Sequence, residues 1–206
     1  MLVLAGAAPS AHRRDEYLQA ARVAIAPDRV LIELDLTPGI AVAEQLIAGV
    51  DSDGNGAIST AEADAYRARV LRDVAVDVDG RALTLDVLDG SFPDVSAVRN
   101  GDGIMRLCLS AALPRLSAGT HRLRYRNSHR ADIGAYLVNA LVPQSDRVAV
   151  TAQRRDTAQR DVTIEYTLQP DSTTRLRGGL ALSATAAVIW LLMRSWRRRE
   201  SLIPNP

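Results

Sequence analysis

From Val30 the chain alternates: Val30, Ile32, Leu34 and Leu36 fall on one side, Glu33 and Asp35 on the other. A repeat of two marks a strand with one buried face. After Thr37-Pro38-Gly39 the repeat changes. Ile40, Ala43, Ile47 and Val50 recur at helical spacing, and Ala63, Tyr66, Val70 and Leu71 form a second helical stripe from about Thr60 to Asp73. At Val74 the period of two returns and persists, between turns, to Leu168. A helix pair set inside a long run of strands demands one core that the strands supply and the helices join.

Two strands are expected on either side of the turn Ala26-Pro27-Asp28-Arg29. The stretch VAVDVDGRALTLDV, residues 74–87, reads as a hairpin turning at Asp79-Gly80. GIMRLCLSA, THRLRYRN, AYLVNALV, RVAVTAQR and DVTIEYTL each read as a further strand. The fold expected is mostly β: an Ig-like antiparallel β-sandwich of roughly eight or nine strands, residues 12–168, with a helix-loop-helix inserted at 40–73. Hydrophobic residues make up 47% of the chain and aromatics 4%, so an aliphatic core is expected. A net charge of +1 leaves no global field that would draw in nucleic acid. The lone Cys108 cannot form an internal disulfide and reads as a small buried side chain on a strand.

Between the two helical stripes lies DSDGNGAISTAE, residues 51–62. Counted from Asp51, it places Asp, Asp and Asn at positions one, three and five, Gly at six and Glu at twelve, the spacing of an EF-hand calcium loop. Calcium takes six to eight oxygens at about 2.3–2.6 Å. Asp51, Asp53 and Asn55 would supply side-chain oxygens, Ala57 a backbone carbonyl, Ser59 a direct or water-borne contact, and Glu62 two oxygens. Gly56 permits the sharp turn, and Ile58 would face the local core. Three carboxylates repel one another without a cation, so an ion is expected to order the loop. No second loop of this kind is present: Asp77–Gly80 and Asn100–Gly103 read as turns. An unpaired loop is expected to bind weakly, at about 10⁻⁴–10⁻³ M, in a structural rather than a switching role.

The two ends suggest a membrane. MLVLAGAAPSA, residues 1–11, reads as the remnant of a secretory signal peptide. GGLALSATAAVIWLLM, Gly178 to Met193, carries no charge. With Arg194 it is expected to span the bilayer at 178–194, behind a linker at 169–177. The basic tail at 195–206 puts that side in the cytoplasm and the domain outside, in the periplasm of a bacterial inner-membrane protein.

AHRRDEYLQAARVAIAPDRVLIELDLTPGIAV at 11–42 and HRADIGAYLVNALVPQSDRVAVTAQRRD at 129–156 resemble a bacterial envelope family. Its members carry an extracytoplasmic β-domain interrupted by an EF-hand and a single C-terminal membrane helix. The domain is also similar to the N-terminal region of HupE/UreJ-type nickel/cobalt transporters. The resemblance implies an extracytoplasmic location and calcium binding. It also suggests a second role, as an accessory to nickel, cobalt or copper uptake. Cleavage after Ala11 would free His12 to chelate a transition metal with His121 or His129. The plainer reading makes all three surface histidines beside arginines, and RYRNSHR, residues 124–130, a solvated basic loop. No nucleophile elbow, phosphate loop or paired Cys/His signature is present, so no enzyme is expected. A calcium ion, the membrane and an envelope or transporter protein are the expected partners.

Overall fold

A computed structural model describes residues 15–171. The signal-like segment 1–11, His12 and the apolar run 178–194 with its basic tail lie outside the described residues. No helix among the described residues is long and apolar enough to cross a membrane.

The element order is β1 (Tyr17–Ile25), β2 (Arg29–Pro38), α1 (Ile40–Val50), α2 (Thr60–Asp73), β3 (Val74–Val78), β4 (Arg81–Ala82), β5 (Asp86–Ser91), α3 (Val95–Arg99), β6 (Met105–Ala112), β7 (Gly119–Asn127), β8 (Gly134–Ala140), β9 (Val148–Arg155) and β10 (Asp161–Leu168). The strands form two sheets, β5-β6-β2-β1-β8 and β4-β3-β7-β10-β9. Every pairing among the described residues is antiparallel except β1 with β8, which run parallel from Tyr17↔Gly134. That parallel pair corrects the expectation of a wholly antiparallel sandwich. A direct hairpin can join only antiparallel neighbours, and β7 and β8 belong to different sheets. The chain therefore reaches the β1 edge from the far side of the core.

The period of two does what it predicts. Tyr17, Ala21, Val23 and Ile25 of β1 face inward with Val30, Ile32, Leu34 and Leu36 of β2. Opposite them stand Leu123 and Tyr125 of β7 and Val162, Ile164 and Tyr166 of β10, all in one apolar cluster. The core is less purely aliphatic than composition implies. Tyr17, Tyr125 and Tyr166 are among its largest fully buried side chains. The few aromatics are concentrated where they remove most surface from water.

Outward residues pair in charge. Asp35 on β2 accepts from Arg22 of β1 and Arg106 of β6, at 3.0 and 2.8 Å. Partial burial works against its ionised form, yet the two guanidiniums hold Asp35 below its ordinary value. On the other sheet Asp161 pairs with both Arg124 and Arg126. Residues 124–127 are thus the end of a strand, and the expected basic loop is absent there. Cys108 sits half-buried between inward Leu107 and Leu109, on the outer side of its strand.

The hairpin at Asp79-Gly80 forms, with φ of 51° and 78°, the left-handed pair a tight two-residue turn requires. Its return strand is only Arg81–Ala82. Leu83 and Leu85 then pack against the core, and the chain crosses to pair β5 with β6. β5 shows no burial alternation, so nothing in its sequence marks it as a strand of the opposite sheet. The short α3 lays Val95 and Val98 against Ala43 and Ile47 of α1 in a second small core. Ile40, read as the first residue of the α1 stripe, is half exposed.

Edges are handled individually. Among the described residues β8 has no strand partner beyond β1, yet Arg155 of β9 donates to the Val138 carbonyl at 2.8 Å, and Gln153 accepts from the Ala140 N–H at 3.2 Å. Side chains of one sheet thereby close the edge of the other.

Adjacent positions on β6 should respond very differently. Leu107→Ala is expected to cost about 2–5 kcal/mol in urea unfolding. Arg106→Ala should stay within about 1 kcal/mol, because Asp35 keeps Arg22.

Candidate metal centre

The helix pair forms at the expected boundaries, and the twelve-residue loop joins them. α1 ends as the Asp51 N–H closes on the Ile47 carbonyl at 2.8 Å. Arg69 of α2 also hydrogen-bonds the Gly49 carbonyl in the last turn of α1. α2 starts with a capping box. Ser59 accepts from the Glu62 N–H, and the Glu62 carboxylate accepts from the Ser59 N–H at 3.0 Å. Ile58 packs against both apolar clusters, which ties the loop down from inside.

The loop brings Asp51, Asp53 and Glu62 together, one oxygen from each lying within 4.8 Å of the others. Two oxygens bound to one calcium at ordinary distances stand at most about 4.6–5.2 Å apart. The three carboxylates therefore fit around a single divalent cation. Asp51 and Glu62 are buried and Asp53 is exposed, so the group opens to solvent on one side.

Backbone N–H groups converge on these side chains. Asp51 accepts from Asn55 at 3.1 Å and from Gly56 at 2.9 Å. Asp53 accepts from the Asn55 N–H at 3.1 Å and its side-chain amide at 2.8 Å. Asn55 in turn accepts from the Ala57 N–H at 2.8 Å. Glu62 takes donors on both oxygens, the Ser52 and Asp53 amides on one and Ser59 on the other. These donors offset the repulsion among the carboxylates. The loop's shape thus does not rest on a cation alone, which modifies the expectation from sequence. Gly54 and Gly56, at φ of 70° and 82°, supply the left-handed turns that aim the amides inward.

Hydrogen bonds from the Ser59 backbone and hydroxyl, reinforced by Ser52, hold the Glu62 carboxyl down to about 2. It stays ionised and able to bind a cation through ordinary acidity. Of the other expected ligands, Asn55 keeps its side chain within the loop and Ser59 donates to Glu62 at 2.8 Å. Ala57 uses its N–H on Asn55. Ser52, overlooked in the sequence because it sits at a non-ligand position, is a principal donor to Glu62.

The histidines depart most from expectation. His121 and His129 are buried, 9% and 3% exposed, and not the surface groups of the plainer reading. His121 bonds Asp79 and the Ser117 carbonyl, each at 2.8 Å. His129 bonds Asp73 at 2.7 Å and Tyr66 at 3.0 Å. All four ring nitrogens are engaged. The two rings lie towards opposite ends of β7, about 20 Å or more apart along an extended strand. They do not form a shared metal site. Apolar periodicity placed Tyr66 correctly on the buried face of α2 but carried no information on its hydroxyl.

No protein-family model matches the chain, and no curated protein is similar to it.

The Ser59 cap should be measurable with chelator present. Ser59→Ala is expected to cost about 0.5–2 kcal/mol in chemical denaturation. A lowered folded pKa gives stability that is present above the unfolded value of about 4.3 and lost as pH falls towards 2. The variant should lose less stability across that acid window than the wild type.

Proposed function

We propose that the chain is a membrane-anchored, extracytoplasmic calcium-binding protein whose ion serves structure and whose sandwich is a protein-interaction module. In this reading residues 40–73 are an EF-hand inserted in an Ig-like sandwich. The observation that carries it is the convergence of Asp51, Asp53 and Glu62 at positions one, three and twelve of one helix-flanked loop. Asn55, the Ala57 carbonyl and Ser59 complete the proposed ligand set. The donor chemistry suits a hard cation: oxygen throughout, with no thiolate or imidazole in the group among the described residues.

The ion's role would be to join the end of α1 to the start of α2. Glu62 belongs to the helix and Asp51 to the residue that closes its predecessor. A cation held by both fixes the angle between the helices, and so the seating of Tyr66 and Val70 in the core. The membrane anchor at 178–194, the periplasmic location and an envelope or transporter partner are inferred from the sequence. The alternative of an accessory to nickel, cobalt or copper uptake rests on the resemblance and on His12. No observation on the described residues favours it.

Calcium should raise the melting temperature of the wild-type chain and leave Glu62→Gln unmoved. For Kd of about 10⁻⁴–10⁻³ M, 10 mM calcium corresponds to about 1.4–2.7 kcal/mol of added stability. A Glu62→Gln chain that responds to calcium as the wild type does would remove the loop from this role.

A further inference from the structure

α2 is fastened to the sandwich by a buried line of hydrogen bonds. Tyr17 of β1 bonds the Tyr66 hydroxyl at 2.8 Å, Tyr66 bonds His129 Nε2 at 3.0 Å, and His129 Nδ1 bonds Asp73 at 2.7 Å. Tyr17, Tyr66 and His129 are at most 3% exposed. The Asp73 side chain, 41% exposed, links the line to solvent.

The direction of each bond follows from the ends. A carboxylate only accepts, so Nδ1 of His129 carries a hydrogen and donates to Asp73. In the neutral ring Nε2 then has no hydrogen and accepts from the Tyr66 O–H. That leaves the Tyr66 oxygen to accept from the Tyr17 O–H. Every polar hydrogen in the line has an acceptor. Among the described residues the Tyr17 hydroxyl bonds only Tyr66.

We propose that His129 is an acid-sensitive pin in this joint: a proton taken up at Nε2 removes the acceptor at the end of the line and leaves one O–H of the Tyr17–Tyr66 pair buried without a partner. The protonated Nε2 donates to the Tyr66 oxygen, so two hydroxyl hydrogens are left with one contact between them: either Tyr66 donates to Tyr17 and the Tyr17 hydrogen has no acceptor, or Tyr17 keeps donating and the Tyr66 hydrogen has none. A buried donor stranded in this way weakens the state that holds it, and the cheapest escape is separation of α2 from β1. The ring is packed edge-on against Tyr17 and Tyr66, which leaves it little room to turn aside. Its backbone is held as well: the His129 carbonyl accepts from Gln19 at 2.6 Å and Tyr136 at 2.7 Å, and its N–H donates to Asn127 at 2.9 Å.

Charged and titratable neighbours face the ring from each packed element. α2 contributes Asp73, Tyr66 and Arg69, β1 contributes Tyr17, the turn before β8 contributes Arg130 and Asp132, and β8 contributes Tyr136. Burial, with the cations Arg130 and Arg69, outweighs the pull of Asp73 and keeps the imidazole below its ordinary value. Stability from this group is thus complete above about 6.5 and falls as the pH drops through that value towards the folded pKa. His121 acts in the opposite sense: burial disfavours its charge, but Asp79 and Ser117 raise it above its ordinary value. Its contribution is present below about 6.5 and lost as the pH rises. Glu62, at about 2, does not titrate in this range. The inference is independent of whether the loop binds calcium.

The test uses the full chain with chelator. NMR of the imidazole nitrogens is expected to show the Nδ1–H tautomer for His129 at neutral pH and titration below 6.5. Between pH 7.5 and 5.5 the melting temperature of the wild type should fall by about 3 °C or more beyond that of His129→Gln. Comparing the two chains cancels His121. An Nε2–H tautomer, titration at or above 6.5, or equal acid loss in both chains would overturn the proposal. Should His129→Gln not fold, the wild-type titration and tautomer decide alone.

Discussion

α2 passes into β3 with no linking residue: Asp73 ends the helix and Val74 begins the strand. This junction constrains the rest of the insert. A helix that must become an inner strand at its last residue cannot choose its own orientation. Its rotation is fixed by Val74, Val76 and Val78 entering the core, and its tilt by Tyr66 and Val70 lying against the same core. The Ser128 N–H bonds the Asp73 carbonyl at 2.8 Å and His129 bonds the Asp73 side chain, so the junction is secured by the residues that follow β7 as well. The loop at the other end of α2 inherits that placement. Its carboxylates converge because Glu62 is presented from a helix already anchored one turn later.

Much of this architecture is legible in the residues. The change from period two to period 3.6 and back located α1 and α2, because both helices bury one stripe and expose the other. Asp79-Gly80 marked its hairpin through backbone conformation, which is a local property. The acidic loop was legible for a similar reason: the carboxylates that converge in it lie within twelve consecutive residues. Features that depend on distant parts of the chain were not. β5 is an exposed strand with no alternating face, and its partner is fifteen or more residues away in sequence. α3 is five residues long and recognisable only from the small core it shares with α1. Parallel pairing of β1 with β8 joins segments more than a hundred residues apart. The burial of His129 depends on Tyr17 of β1 and on Tyr66 and Asp73 of α2, all more than fifty residues away in sequence, and a histidine flanked by Ser128 and Arg130 gives no hint of it.

Two kinds of polar structure thus meet on one helix. At its start, ionised oxygens gather at the surface around amide donors, where a hard cation can replace or supplement those donors. In its middle and at its end, neutral hydroxyls and an imidazole form a line with a fixed sense inside an apolar interior. The first tolerates charge because water and backbone dipoles remain close. The second tolerates it poorly, since a proton added at the imidazole removes the acceptor its neighbours need. Their separation along α2 lets a single element combine an open ionic end with a buried neutral seam.

The side chains that close the β8 edge have a consequence for how the domain meets other molecules. Peptides that dock by adding a strand need a free ladder of amides and carbonyls. Arg155 and Gln153 already occupy that ladder. At the far edge of the same sheet β5 carries Asp86 and Asp89 with a register shift between them, and in the other sheet β4 is two residues long. Short, charged or irregular borders discourage sheet-to-sheet annexation. β9 is the border left open: its eight residues, Val148–Arg155, pair on one side with β10 and with no other strand among the described residues, so a companion chain that adds a strand has this edge to use.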